Sequence, residues 1–131
     1  MTYQTHYGGA YQIYYHLVFC PKYRRKVLVG NIPQRLDELI RSKVAELGGE
    51  VKALEIQPDH VHLFVAFSPK WSPAQIAFRI KGSTSRVLRE EFPFLKSRLP
   101  SLWSRSYYVG TAGNVSAETI RKYIEAQKRS R

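Results

Sequence analysis

The sequence predicts an α+β domain: a four-stranded antiparallel sheet carrying helices on one face, with one more helix at the C-terminal end. Three observations carry that expectation. Two segments repeat apolar residues at helical spacing, and between and around them four others alternate or run apolar at strand length. Two of those strands are separated only by Pro58 and Asp59, which reads as a hairpin. With 131 residues and 44% apolar composition, the chain suits one domain, 1–131, with a real core.

Residues 1–9 are polar with two glycines and read as a flexible arm. "AYQIYYHLVFCPKY" alternates well enough for a first strand, roughly 10–20, ended by Pro21. In "NIPQRLDELIRSKVAELGGE", Leu36, Leu39, Ile40, Val44 and Leu47 share one helical face. Asn31 is the expected N-cap, Pro33 sits in the first turn, and Gly48-Gly49 stops the helix. "EVKALEIQ" and "HVHLFVAF" are the hairpin strands. Ser72-Pro73 opens a helix over 73–91, with Ile76, Ile80, Val87 and Leu88 as its apolar positions and Pro93 as its end. Residues 92–104 read as an irregular connection, and "RSYYVGT" as the fourth strand. Gly110 and Gly113 bracket a short link to a last helix within 114–129. The order β-α-β-β-α-β is the split βαβ, or ferredoxin-like, arrangement. That fold serves many functions, so function has to be read from the residues it displays.

The formal charge is +11, from 21 Lys and Arg against 10 Asp and Glu. A small domain this basic usually meets a polyanion: nucleic acid first, an anionic membrane surface as the rival. No apolar run is long enough to span a bilayer, so no membrane partner is expected. Cys20 is alone and cannot form an internal disulfide, which fits a buried core residue and a cytoplasmic location. Tyr3, Tyr7, Tyr11, Tyr14, Tyr15 and Tyr23 crowd the N-terminal part near Lys22, Arg24, Arg25 and Lys26. Such a mixture either stacks and neutralises a single nucleic-acid strand or simply fills a sheet.

"QPDHVHLF" places His60 and His62 one residue apart on a strand. Side chains at that spacing share a face and lie roughly 6.5 Å apart at Cα, close enough to converge on one ion. The same spacing also describes two histidines on a solvated sheet face. Ile120, Tyr123, Ile124 and Gln127 share one face of the last helix. Either Tyr123 extends an apolar stripe with Gln127 at its end, or Tyr123 is a nucleophile and Gln127 a third metal ligand.

The blocks "YHLVFCPKYRRKVL", "QPDHVHLF", "IKGSTSR", "WSRSYYVGTAG" and "IRKYIEAQ" occur in that order. Together they resemble the single-tyrosine HUH transposases of the TnpA type, enzymes of insertion sequences that move as single-stranded DNA, and the related REP-associated tyrosine transposases. The resemblance spans roughly residues 11–129. It implies that His60 and His62 are the paired metal-binding histidines, that Tyr123 is the catalytic nucleophile, and that Gln127 is the third ligand. It further implies Mg²⁺ or Mn²⁺ as the cofactor, although imidazoles tend to favour softer ions. The partners so implied are single-stranded DNA with hairpins and a second copy of the chain, the tyrosine helix acting in trans.

Charge and the resemblance together nominate Lys22, Arg24, Arg25, Lys81 and Arg86 as DNA contacts. His16, in the first-strand block, is expected to be structural or to support the histidine pair from the neighbouring strand. Two alternatives share these features: a non-catalytic RRM-like binder of single strands or hairpins, and a domesticated nickase acting on chromosomal repeats.

Overall fold

The computed structural model describes residues 5–6, 9–10, 12–111 and 125–126. Strand β1 (Ile13–Phe19) lies inside a four-stranded sheet. It pairs antiparallel with β3 (His60–Phe67) on one side and β4 (Tyr108–Thr111) on the other. Strand β2 (Glu50–Gln57) forms the outer arm of the hairpin, so the sheet order is β2-β3-β1-β4. This is the expected α+β, ferredoxin-like architecture. Helix α1 (Ile32–Glu46) follows β1, and α2 (Pro73–Glu91) follows β3.

The core is built by the period of two. Leu17, Phe19, Val61, Leu63, Val65 and Phe67 all point to the helix side and pack with Leu36, Ile40, Val44, Ile76, Ile80 and Leu88. Each fully buried aliphatic or aromatic side chain of this kind contributes about 1.5–3 kcal/mol. The helix layer is tied together by Arg35 of α1, whose guanidinium donates to both carboxylate oxygens of Glu91 at 2.8 and 2.9 Å.

Several details depart from the sequence expectation. Asn31 stands at the start of α1, but with φ −88° and ψ −4° it is already helical and makes no side-chain cap. Ser72 caps α2 more fully than a lone serine would: it accepts from the Gln75 N–H while the Gln75 side chain accepts from the Ser72 N–H. The connection 92–104 is not wholly irregular, because Phe94–Arg98 forms a short helix, α3. After α3, Trp103 bridges to Pro21, stands edge-on to Phe19, and donates its Nε1–H to Thr84 at 3.0 Å. The first strand begins three residues later than expected, and the fourth begins at Tyr108 rather than residue 105. Within the arm expected over 1–9, Thr5–His6 pairs with Gly9–Ala10. Of the last helix, Glu125 and Ala126 are helical; the rest of 114–129 lies outside the described residues.

Candidate functional site

The alternation that sends Val61 and Leu63 into the core turns His60, His62 and Phe64 to the opposite face. β1 supplies His16 to that same face, directly across from Phe64. The His16 ring stacks on Phe64 with centroids 4.3 Å apart. Its Nδ1 lies 3.1 Å from Nε2 of His62, a hydrogen bond in which one ring must donate and the other accept. His16 therefore stands beside His62. β2 adds Glu55, the register partner of His62. His16, Glu55, His62 and Phe64, with Ala53, line a pocket of about 260 Å³.

These imidazoles are biased toward the neutral form. Burial lowers the pKa of His16. Burial also lowers that of His62, helped by His16 and His60 and opposed by the Glu55 carboxylate. A neutral imidazole is the form that binds a metal ion.

His60 is held differently. Its Nδ1 lies 2.9 Å from Oδ1 of Asp59. The other carboxylate oxygen of Asp59 takes the Nε of Arg24 at 3.0 Å. An ionised carboxylate only accepts, so Nδ1 of His60 must carry the proton of this bond. In the neutral ring Nε2 is then left with its lone pair. That arrangement fits a metal ligand supported by an outer carboxylate.

Arg24 reaches Asp59 from a costly backbone. Tyr23 (φ 59°, ψ 18°) and Arg24 (φ 52°) are both left-handed. Such residues cost of order 1–3 kcal/mol each and persist only where the surroundings hold them. Here Lys22 N–H donates to the Leu102 carbonyl and Leu28 N–H to that of Pro58, clamping the segment beside the hairpin turn. The Arg24 guanidinium also approaches Glu125 at 3.6 Å.

Of the residues expected to meet DNA, two are engaged within the protein. Arg24 is one. Lys81 is the other: its ammonium donates to the carbonyls of Ser104, Arg105 and Ser106 at 2.7, 3.3 and 3.1 Å. Burial draws its pKa down to about 8. These bonds also explain the late start of β4, because carbonyls 104–106 serve the lysine rather than a strand ladder. Lys22 is half-buried with its ammonium over the Tyr23 ring. Arg25 is exposed and lines a basic cleft of about 340 Å³ with Lys26 and Arg98. Arg86 is exposed on α2.

Tyr123 and Gln127 lie outside the described residues. Among the described residues no three His, Cys, Asp or Glu side chains gather as a metal site. Nor is any described helix long and apolar enough to cross a membrane. Sequence reasoning passed over Glu55, Asp59 and the inward role of Arg24. A signal for the first was present: a two-residue turn at 58–59 pairs 57 with 60 and therefore 55 with 62.

The fold and this face define a ferredoxin-like α+β protein that displays a histidine cluster on its open sheet surface. The chain belongs to the IS200-like transposase family, whose model matches residues 9–127. It is 38% identical over 122 residues to the ISDra2 transposase TnpA of Deinococcus radiodurans, covering 92% of this chain and 87% of that one. It is 33% identical over 115 residues to the IS200 transposase of Salmonella typhimurium, covering 86% and 75%. A crystal structure of a transposase-family protein from Deinococcus radiodurans superposes with a TM-score of 0.88 at 34% identity, over 95% of this chain and 97% of the other. A REP-associated tyrosine transposase bound to a REP hairpin shares the fold, with a TM-score of 0.58 at 15% identity over 95% and 69%.

Proposed function

We propose that this transposase cleaves and rejoins single-stranded DNA at hairpin-marked element ends, through a 5′-phosphotyrosine intermediate. The observation that carries the reading is the His60 ring: Asp59 anchors its Nδ1, which leaves Nε2 as a ligand beside His62 on the open face. Tyr123 is the nucleophile. Its Oη gives up its proton as it attacks phosphorus, the bond to the 3′-oxygen breaks, and that oxygen takes up a proton in turn and leaves as a hydroxyl. The phosphoester energy is kept in the Tyr123 link, so a second 3′-hydroxyl can reverse the step and join new DNA without another energy source.

His60, His62 and Gln127 would hold a divalent ion, Mg²⁺ or Mn²⁺. When bound, the ion polarises the scissile phosphate and stabilises its developing charge. The remaining work falls to the chain. His16 and Phe64 wall the pocket and limit water beside His62. Lys22, Arg25 and Arg86 provide phosphate contacts. Two copies form the working unit, with the tyrosine helix of one completing the face of the other. A REP-associated tyrosine transposase that shares the fold is bound to a REP hairpin, which supports hairpin recognition.

The test is a covalent-adduct assay with labelled single-stranded DNA bearing the hairpins that flank the gene, run with Mn²⁺ and with EDTA. The expected result is a denaturation-resistant protein–DNA band that needs metal and vanishes in Tyr123→Phe and His62→Ala. Tight hairpin binding with no adduct in any lane would replace this reading with that of a binding module.

A further inference from the structure

We propose that Arg24 is a positioning residue, which fixes the orientation and tautomer of His60 through Asp59 and does not serve as a phosphate contact. The inference rests on the reading of His60 as a metal ligand, but it concerns how the chain prepares that ligand.

Three observations converge on it. Asp59 is shared: one oxygen faces His60 at 2.9 Å and the other faces Arg24 at 3.0 Å. The shared groups are withdrawn from solvent, with side-chain exposures of 12% for Arg24, 15% for Asp59 and 20% for His60. A guanidinium placed to meet DNA would gain by reaching outward; this one lies in the protein surface. Finally, the chain holds two consecutive non-glycine residues, Tyr23 and Arg24, in left-handed backbone between β1 and α1. That conformation delivers the Arg24 side chain to Asp59, while Leu28 N–H bonds the carbonyl of Pro58 and locks the turn in place.

The chemical consequence follows from Asp59. An aspartate beside a histidine would, if turned away, let the imidazole take its more common Nε2–H tautomer. Arg24 holds the carboxylate aimed at the ring, so it accepts from Nδ1–H and leaves Nε2 as a lone pair. Outer groups of this kind typically change metal affinity by about 10–100-fold. The same guanidinium approaches Glu125, which lies between Tyr123 and Gln127 in the sequence.

The experiment uses the full chain and the variants Arg24→Gln, Arg24→Lys and Asp59→Ala, with circular dichroism confirming the fold. Two-dimensional ¹⁵N NMR of the histidine rings at pH 8, without metal, reads the tautomer of His60. Mn²⁺ titration followed by electron paramagnetic resonance reads the metal affinity. Single-stranded hairpin DNA in EDTA reads DNA binding alone. The expected result is an Nδ1–H tautomer of His60 in the wild type that is lost in Arg24→Gln and Asp59→Ala. Mn²⁺ affinity should fall about 10-fold or more, Arg24→Lys should recover part of both effects, and DNA affinity in EDTA should be unchanged. An Arg24→Gln protein with the wild-type tautomer and Mn²⁺ affinity overturns the proposal. So does a loss confined to DNA binding, which would return Arg24 to the phosphate contacts. If the wild type binds no Mn²⁺ while the tautomer still depends on Arg24, the metal reading fails and the positioning role stands.

Discussion

Lys81→Met tests whether a cation on α2 serves the fold or the DNA. The Lys81 ammonium spends its donors on three carbonyls. They are not equal in energy. The bond to Ser104 is the shortest at 2.7 Å, and Ser104 is 5% exposed, so water cannot replace the lost donor there. A hydrogen bond to a charged group is worth about 1.5–3 kcal/mol. Arg105 and Ser106 are exposed, so water takes over their carbonyls at little cost. Against the loss, methionine relieves the burial of a charge and keeps a contact with the Tyr107 ring that now lies 5.6 Å from the ammonium. The net cost is about 1–2 kcal/mol, which lowers the Tm of a domain this size by roughly 3–8 °C. Calorimetry reads that shift. Binding to a single-stranded hairpin oligonucleotide across a salt series reads the other role, because each lost phosphate contact reduces the slope of log K against log salt by about 0.7–0.9. The expected outcome is a lower Tm with an unchanged slope. An unchanged Tm with a slope reduced by about 0.7–0.9 would refute the reasoning and make Lys81 a DNA contact.

Two further substitutions probe the rest of the fold and the site. Gly49→Ala should destabilise by about 1–3 kcal/mol, because a Cβ there would lie 2.5 Å from the ring of Phe67, a core side chain with nowhere to move; a denaturant midpoint equal to the wild type's would show that the ring gives way. For pH, the lowered pKa of His62 means the unfolded chain binds more protons just below 6.5 than the folded one does. Stability from this group is therefore present above 6.5 and lost as pH falls through the folded pKa. His62→Gln should flatten the acid side of the stability profile between pH 7 and 5, and an unchanged profile would show that His62 does not carry it.

The parts of the fold that were legible in the sequence are those fixed by period. Leu36, Ile40 and Val44 announce α1, and the alternation through 60–67 announces β3, because burial on one face leaves no other arrangement. His60 and His62 were legible for the same reason: strand geometry alone puts them together. Residues whose partners are distant in sequence were not legible. Lys81 and Ser104 are 23 positions apart, and nothing in the α2 sequence distinguishes Lys81 from Arg86, which is exposed. Arg24 read as part of a basic run because its left-handed backbone is imposed by the strand and loop that clamp it. Asn31 failed as a cap for a local reason: residue composition suits the position, but its φ and ψ are already helical.

The charge distribution says where a polyanion should approach. Seven of the nine side-chain carboxylates among the described residues take part in ion pairs: Asp37, Glu38, Glu46, Glu50, Asp59, Glu91 and Glu125. Asp37, Glu38, Glu46 and Glu91 belong to the two helices, on the side of the sheet away from the histidines. On the histidine face the carboxylates within β2, β3 and their turn are few, and Asp59 is already neutralised by Arg24. The net charge of +11 is therefore not spread evenly. Helix α1 balances its own charge, whereas α2 carries four cations against two carboxylates and the segment after β1 carries Arg25 and Lys26 near the turn that bears Asp59 and His60. Under the proposed function, a phosphate chain drawn along that segment is expected to meet the end of β3 that bears His60. Under the function proposed above, the surplus charge and the histidine pair act together on the face of the sheet opposite the described helices α1 and α2.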